Sequence, residues 1–488
     1  MLLSLSLLLK ILYLLTNVLS IICFINNFNL GLGVKVNNIN EKINLNLTFK
    51  QKNIIKQING FYGLIGPNIK MENNIDSLYE LFIGDGVIQG VFFENGNLTY
   101  VKHLIKTEKV LYEEKFGVLP KNNNLLTIFF MILNKLKLFP NVMGMANTAI
   151  LNIKNSDKTS DKNSENINKN YALFERDYPY LLDIDFKNKD VKTVKKVNIN
   201  SLSHFSGHSK ITNKCNIETI DYQIVNNLVN YILLDEKFNK KFSFQFKFKY
   251  LPVIHDFFSN DDSLILIDSP LVIDFTQYFQ NKMPLFLDNN KNTFIYVYDK
   301  KNNKYETYTC DHGFYTFHYA DVKNKKDTIE IYISMYDELN FTNVNIKGKY
   351  RMIEINKNTK KISIHKNNEI EKYNLDFPIC FNDKVILRNF DNRRINGFII
   401  TKKLSIYKKI LFENKNICGE HNVIYINKIP YLIFFNVEED KIKKNNKNLL
   451  TLVNLINYEV IDIEIKNKLN LGFHSIFLPI QIKKEQLK

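Results

Sequence analysis

From residue 58 onward, short apolar runs rich in β-branched and aromatic residues alternate with polar turns. Residues 86–93 (GVIQGVFF) and 98–101 (LTYV) flank Glu94, Asn95, Gly96 and Asn97. Asn-Gly between apolar runs is the strongest short-range hairpin signal, because both turn positions need positive φ. Residues 294–298 and 305–309, with the polar stretch 299–304 between them, predict a second strand–turn–strand unit, and residues 329–335, 422–426 and 431–435 read as further strands. Many short strands with polar connections predict an all-β barrel, sandwich or propeller. No strict internal period is present, so the blades of a propeller would have diverged from one another.

Four segments depart from this pattern. Residues 2–25 are almost wholly apolar and read as a signal peptide or signal anchor, long enough to span a bilayer if uncleaved. An Asn- and Lys-rich leader or linker over 26–57 follows, which leaves 58–488 as one β domain. The pair resembles the two-part leaders of secondary plastids, so the expected destination is the secretory pathway or a plastid-type organelle. Residues 124–144 are dense in Leu, Ile, Phe and Met but carry Lys135 and Lys137. They are too short and charged to span comfortably, and fit either a buried helix or a segment lying in a membrane interface. Residues 154–170 have almost no apolar content and read as an exposed, disordered insertion.

Composition narrows the function. The chain has 488 residues, 45% of them apolar, and a formal net charge of +16. A nucleic-acid binder clusters its basic residues on one stripe with aromatics between them. Here Lys is spread along the chain, so no nucleic-acid partner is expected, only a weak general attraction to anionic membrane surfaces. The five cysteines show no CxxC or metal-finger spacing and read as inert thiols. P-loop, dinucleotide and GxSxG signatures are absent.

Nine histidines remain as candidate chemistry. Four lie in or beside apolar, aromatic stretches: His208 (SGHSK), His255 (VIHDFF), His318 (TFHYAD) and His474 (GFHSIF). In a closed radial β fold, residues far apart in sequence meet on the axis. Four neutral imidazoles there suit a borderline transition metal. Spacing alone leaves His204 open as an alternative to His208, and His312 as an alternative to His318.

These four segments resemble, in order, the histidine motifs of the carotenoid cleavage oxygenases. Residues 60–68 (GFYGLIGPN), 82–88 (FIGDGVI), 147–150, 173–183, 375–378 (LDFP) and 419–420 resemble other motifs of that family in the same order. The likeness covers about residues 58–480. It implies a seven-bladed β-propeller with a helical and loop cap over the metal-bearing face. It also implies Fe(2+) held by His208, His255, His318 and His474, with Glu175, Asp376 and Glu420 as carboxylates that orient the histidines. The implied reaction is cleavage of a carbon–carbon double bond of a carotenoid or apocarotenoid by O2, giving carbonyl products. The lipophilic polyene would arrive from a membrane contacted by residues 124–144.

The chain departs from the family pattern at several points. Asp376 stands where the family has Glu, a methylene longer, so contact with its histidine only through a water, or a loose hold, is expected. Gln89 replaces a frequent His, the run 320–323 (ADVK) is altered, and the chain has no Trp. These departures keep rival readings in view. They are stilbene-type cleavage, a retinoid isomerohydrolase, and a non-catalytic propeller that binds a lipid or a partner.

Overall fold

The computed structural model describes residues 39–480 except 74, 76, 120–129, 131–132, 135, 137–140, 142, 155–167, 176, 275, 278–284, 342–343, 345, 392 and 440–445. The leader over 1–25 lies outside the described residues, as does most of 124–144.

Seven antiparallel sheets follow one another along the chain as blades. Blade 1 orders Asn40–Asn44, Asn97–Leu104, Gly86–Glu94, Gly60–Pro67 and the C-terminal strand Ser475–Pro479. Blade 2 comprises Ala149–Ile153, Lys169–Leu173, Tyr180–Asp185 and Asp190–Lys196; blade 3 comprises Lys210–Ile211, Ile217–Gln223, Leu228–Leu234 and Lys240–Lys247. Blade 4 is built from Phe258–Ser259, Ser263–Asp268, Thr293–Asp299 and Lys304–Cys310, and blade 5 from Tyr315–Asn324, Thr328–Tyr336, Gly348–Asn356 and Ile362–His365. Blade 6 holds Leu375–Phe381, Lys384–Asp391, Arg394–Lys402 and Ser405–Leu411. Blade 7 holds Lys415–Ile417, Ile429–Glu438, Lys447–Asn454 and Val460–Ile465, with Asn422–Ile426 also paired to Ile429–Glu438.

The blades pack face to face through apolar clusters, one between each successive pair. Phe61, Ile88, Tyr180 and Leu182 join blades 1 and 2, for example, and Ile386, Phe398, Leu432 and Phe434 join blades 6 and 7. The ring closes where Tyr62 and Tyr100 of blade 1 meet Ile433 and Phe435 of blade 7. It closes in sequence as well: Ser475–Pro479 pairs antiparallel with Gly60–Pro67, from Gly60↔Pro479 to Leu64↔Ser475. The two ends of the domain are thereby stitched into one sheet. This is the expected seven-bladed propeller.

Both predicted hairpins form. Glu94 pairs with Asn97, and Asn95 (φ 50°) with Gly96 (φ 82°) supplies the two positive-φ turn residues. Asp299 pairs with Lys304 in the second.

Two boundaries and the extent of the cap differ from expectation. The linker reading of 26–57 fails from residue 40: Asn40–Asn44 is the outer strand of blade 1, in register with Thr99–His103. Phe49–Ile55 is a helix with a Thr48–Gln51 capping box that buries Ile55 in the blade 1–blade 7 core. The sequence hid this because an edge strand facing water has little apolar periodicity to display. The insertion of 154–170 is narrower than expected, since Lys169–Leu173 is an inner strand of blade 2. Its middle, 155–167, lies outside the described residues. The helical cap is slight among the described residues. It comprises the helix Leu78–Phe82 and a two-stranded sheet, Leu271–Ile273 with Leu285–Leu287, packed on Tyr315, Phe317 and Tyr336.

Candidate metal centre

Four short sequences at the starts of strands aim imidazoles at one point. His208 precedes Lys210–Ile211, His255 precedes Phe258–Ser259, His318 lies inside Tyr315–Asn324 and His474 precedes Ser475–Pro479. One nitrogen from each, His208, His255, His318 and His474, falls within 4.8 Å of every other. His208 Nε2 is 3.0 Å from His255 Nε2, and His318 Nε2 is 3.3 Å from His474 Nε2. Two ligands at right angles on metal–nitrogen bonds of about 2.1 Å stand about 3.0 Å apart. The separations therefore fit four bonds to a single ion. His204 and His312 are not part of the cluster: each faces an acid instead, Asp221 at 3.3 Å and Asp337 at 2.8 Å.

The remaining blades supply carboxylates to the outer faces of three rings. Asp376 Oδ1 lies 2.8 Å from His318 Nδ1, and Glu420 Oε1 lies 3.1 Å from His474 Nδ1. Glu175 Oε1 lies 2.6 Å from His255 Nδ1, close but out of line with a ring N–H. Each of the seven blades thus places one side chain at the centre. A carboxylate on Nδ1 fixes the tautomer that leaves the Nε2 lone pair facing inward.

The supporting contacts are specific. Glu420 Oε2 accepts from the Ser475 backbone N–H at 2.7 Å, and Asp376 Oδ2 accepts from the Tyr336 hydroxyl at 2.6 Å. Burial, which raises carboxylates, is overcome at Glu420 by His474 and the Ser475 N–H, which hold it below its usual range. At Asp376 burial is overcome by His318, Tyr336 and the Phe377 N–H, which hold it near 2. Burial and the three neighbouring imidazoles push His208 well below its usual value, and burial outweighs Glu420 at His474 to lower it too. Both rings are thereby kept in the neutral, ligand-competent form. At His255 burial loses to the Glu175 charge, and the ring is raised.

The centre opens onto a cavity of about 830 Å³, lined by Phe82, Phe317, Phe341, Tyr336, Phe377 and Phe473 among others. Phe377 packs on the His318 and His474 rings at 4.5 and 5.0 Å, and Phe317 packs on His255 at 5.2 Å. Such a volume holds a ligand of a few tens of atoms, and its wall mixes these aromatic rings with charged groups, among them Arg388, Arg393, Arg394, Lys468, Glu72 and Glu439. Sequence reasoning missed Tyr336, Phe377 and Arg388 on this wall. The available signal for Arg388 was a charge following the apolar run 385–387 inside a strand.

A model of the retinal pigment epithelial membrane protein family matches residues 47–391, more than half of the chain. The chain belongs to the carotenoid cleavage oxygenase family. A carotenoid 9,10(9',10')-cleavage dioxygenase 1 of Pisum sativum is 22% identical over 485 residues, spanning 88% of this chain and 86% of the relative. That of Arabidopsis thaliana is 30% identical over 167 residues, spanning 32% of this chain and 28% of the relative. Among solved structures, a Synechocystis apocarotenoid oxygenase superposes with a TM-score of 0.70 at 13% identity, covering 92% of this chain and 98% of that one. A Pseudomonas brassicacearum lignostilbene dioxygenase gives 0.67 at 12% identity, covering 91% and 96%. At these identities the structural likenesses establish the propeller fold, and family membership establishes an oxygenase type of enzyme.

Proposed function

We propose that this oxygenase is a non-haem Fe(2+) dioxygenase that cleaves one carbon–carbon double bond of a carotenoid-like polyene. The observation that carries the reading is the meeting of four imidazole nitrogens, three of them backed by carboxylates, at the wall of an aromatic cavity. His208, His255, His318 and His474 would hold the ion. Neutral nitrogen donors without thiolate suit Fe(2+) among the borderline metals. Iron bound there supplies the electron chemistry that lets ground-state O2 react with an olefin.

The chain's own residues do the rest. Glu175, Asp376 and Glu420 hold the rings in one orientation. His208, His255, His318 and His474 would supply only four donors to an ion, which would leave it open to a further ligand as a catalytic site requires. Phe317 and Phe377, packed on the histidine rings, exclude water beside the ion and give a flat polyene an apolar surface to lie on. Overall, the double bond breaks and each carbon gains one oxygen atom, so both atoms of O2 end in the two carbonyl products. No proton transfer is needed, in keeping with a centre whose three carboxylates, Glu175, Asp376 and Glu420, each face an imidazole.

Direct contact between Asp376 and His318 removes one reason for reading the chain as a non-catalytic propeller. The test is anaerobic iron reconstitution followed by a panel of carotenoids, apocarotenoids, stilbenes and retinyl esters under ¹⁸O2. Label in both carbonyl products is expected. Isomerised or hydrolysed products without label would favour the isomerohydrolase reading, and an iron-loaded protein inert to the whole panel would contradict the enzyme reading.

A further inference from the structure

Arg388 sits on the strand Lys384–Asp391, opposite Asp376 across the sheet, and lines the cavity. The Phe377 ring lies 3.7 Å from its guanidinium carbon, and the same ring packs on His318 and His474. A guanidinium is thus layered onto the wall of the candidate metal centre. Its Nη1 is enclosed with no hydrogen-bond partner, and the group makes no ion pair with any described residue. The carboxylate across the sheet is already used on both oxygens, by His318 at 2.8 Å and Tyr336 at 2.6 Å.

Arg351, which is buried, shows how this fold satisfies a structural guanidinium. It meets Glu371 through two hydrogen bonds of 2.9 Å each and Asp337 through one of 2.6 Å. Arg388 has no such clamp. Burial draws it down to about 10, against the pull of Asp376, Tyr336 and Glu420, so it is still charged at neutral pH. Arg388 is half-buried and lines the cavity, with Nη1 enclosed; an enclosed N–H on a cation is costly to leave unmatched, and a pure hydrocarbon filling the cavity offers it nothing.

We propose that Arg388 anchors a carboxylate on the substrate, making this cavity a site for an acid-terminated polyene rather than for a hydrocarbon. The planar fork of a guanidinium pairs with a carboxylate through two parallel hydrogen bonds, which fixes the ligand's orientation as well as its affinity. With that end held beside Phe377, the chain of double bonds is drawn along the histidine face at a fixed offset. The proposal deepens the oxygenase reading and rests on it for the placement of the polyene, but binding alone tests it.

All-trans-retinoic acid and all-trans-retinol serve as probes of equal carbon skeleton. Their binding to iron-loaded full-length protein under argon is measured by equilibrium dialysis, read by polyene absorbance, with iron content recorded beside each titration. The wild type is expected to bind the acid at least tenfold tighter than the alcohol. Arg388→Met should erase that preference while leaving retinol affinity and iron content unchanged, and Arg388→Lys should keep part of it. Equal affinity of the wild type for the two probes, failure to bind either, or an acid preference that survives in Arg388→Met would overturn the proposal. The wild-type comparison stands even where the Met variant does not fold. Because no turnover is involved, an acid preference without cleavage activity would refute the oxygenase reading and leave the anchor intact.

Discussion

Asp376 Oδ1 lies 2.8 Å from His318 Nδ1, so an acid one methylene shorter than the family's glutamate still touches its imidazole directly. The water-bridged or loose contact expected from the sequence does not form, because the backbone makes up the missing length. The pairing register shifts between Asp376 and Ile379, and Phe377 takes a left-handed φ of 55°. A bulge of this kind re-aims a side chain out of the regular pleat. The expected result of Asp376→Asn is metal affinity weaker by about 10–100-fold, as for other outer partners of metal-bound histidine. Competition against a chelator measures it, and unchanged affinity would mean that Asp376 does not orient His318.

Tyr336 holds the other oxygen of that carboxylate. Tyr336→Phe leaves a largely enclosed anion short of one hydrogen bond, and hydrogen bonds to charged groups contribute about 1.5–3 kcal/mol. Urea unfolding of the metal-free protein should show a loss of that order. In the Asp376→Asn background the same change should cost less, since the two groups are coupled. Full additivity would argue against the pairing.

His103 links blades 1 and 2. Its Nδ1 pairs with Asn40 Oδ1 at 2.8 Å, and its Nε2 accepts from the Thr193 backbone N–H at 3.1 Å. Burial, then Lys106, depress it from 6.5 to about 4. Since the folded value is the lower one, the unfolded chain binds the extra proton. This contribution is present in full above about pH 6.5 and is lost as pH falls toward 4, by an amount on the order of 3 kcal/mol. Unfolding midpoints followed from pH 7 to pH 4 should fall less steeply in His103→Gln than in the wild type. Parallel curves would show that the ring is not held neutral.

The ring depends on its last strand. A chain ending at His474 keeps all four histidines but loses the Ser475–Pro479 pairing with Gly60–Pro67. It should lose cooperative unfolding by circular dichroism, along with metal binding. A truncated protein with the wild-type midpoint would show that closure through this strand is dispensable.

Much of the fold was legible where patterns are local. Asn95-Gly96 announced its hairpin because only positive-φ residues fit that turn. The metal centre was not legible from spacing, since His208 and His474 are joined only by the closing of the ring. What revealed it was the resemblance of the flanking motifs. The edge strand Asn40–Asn44 was hidden because its partner, not its own composition, makes it a strand. Arg388 was overlooked because a lone charge in a strand looks the same from sequence whether it faces water or a cavity.

Iron content per chain tests the central claim most directly. Full-length protein reconstituted anaerobically with Fe(2+) and desalted should carry about one iron per chain, and His208→Ala or His474→Ala, still folded by circular dichroism, should carry almost none. Folded wild-type protein that retains no iron, or a His208→Ala variant that retains as much as the wild type, would contradict the four-histidine centre.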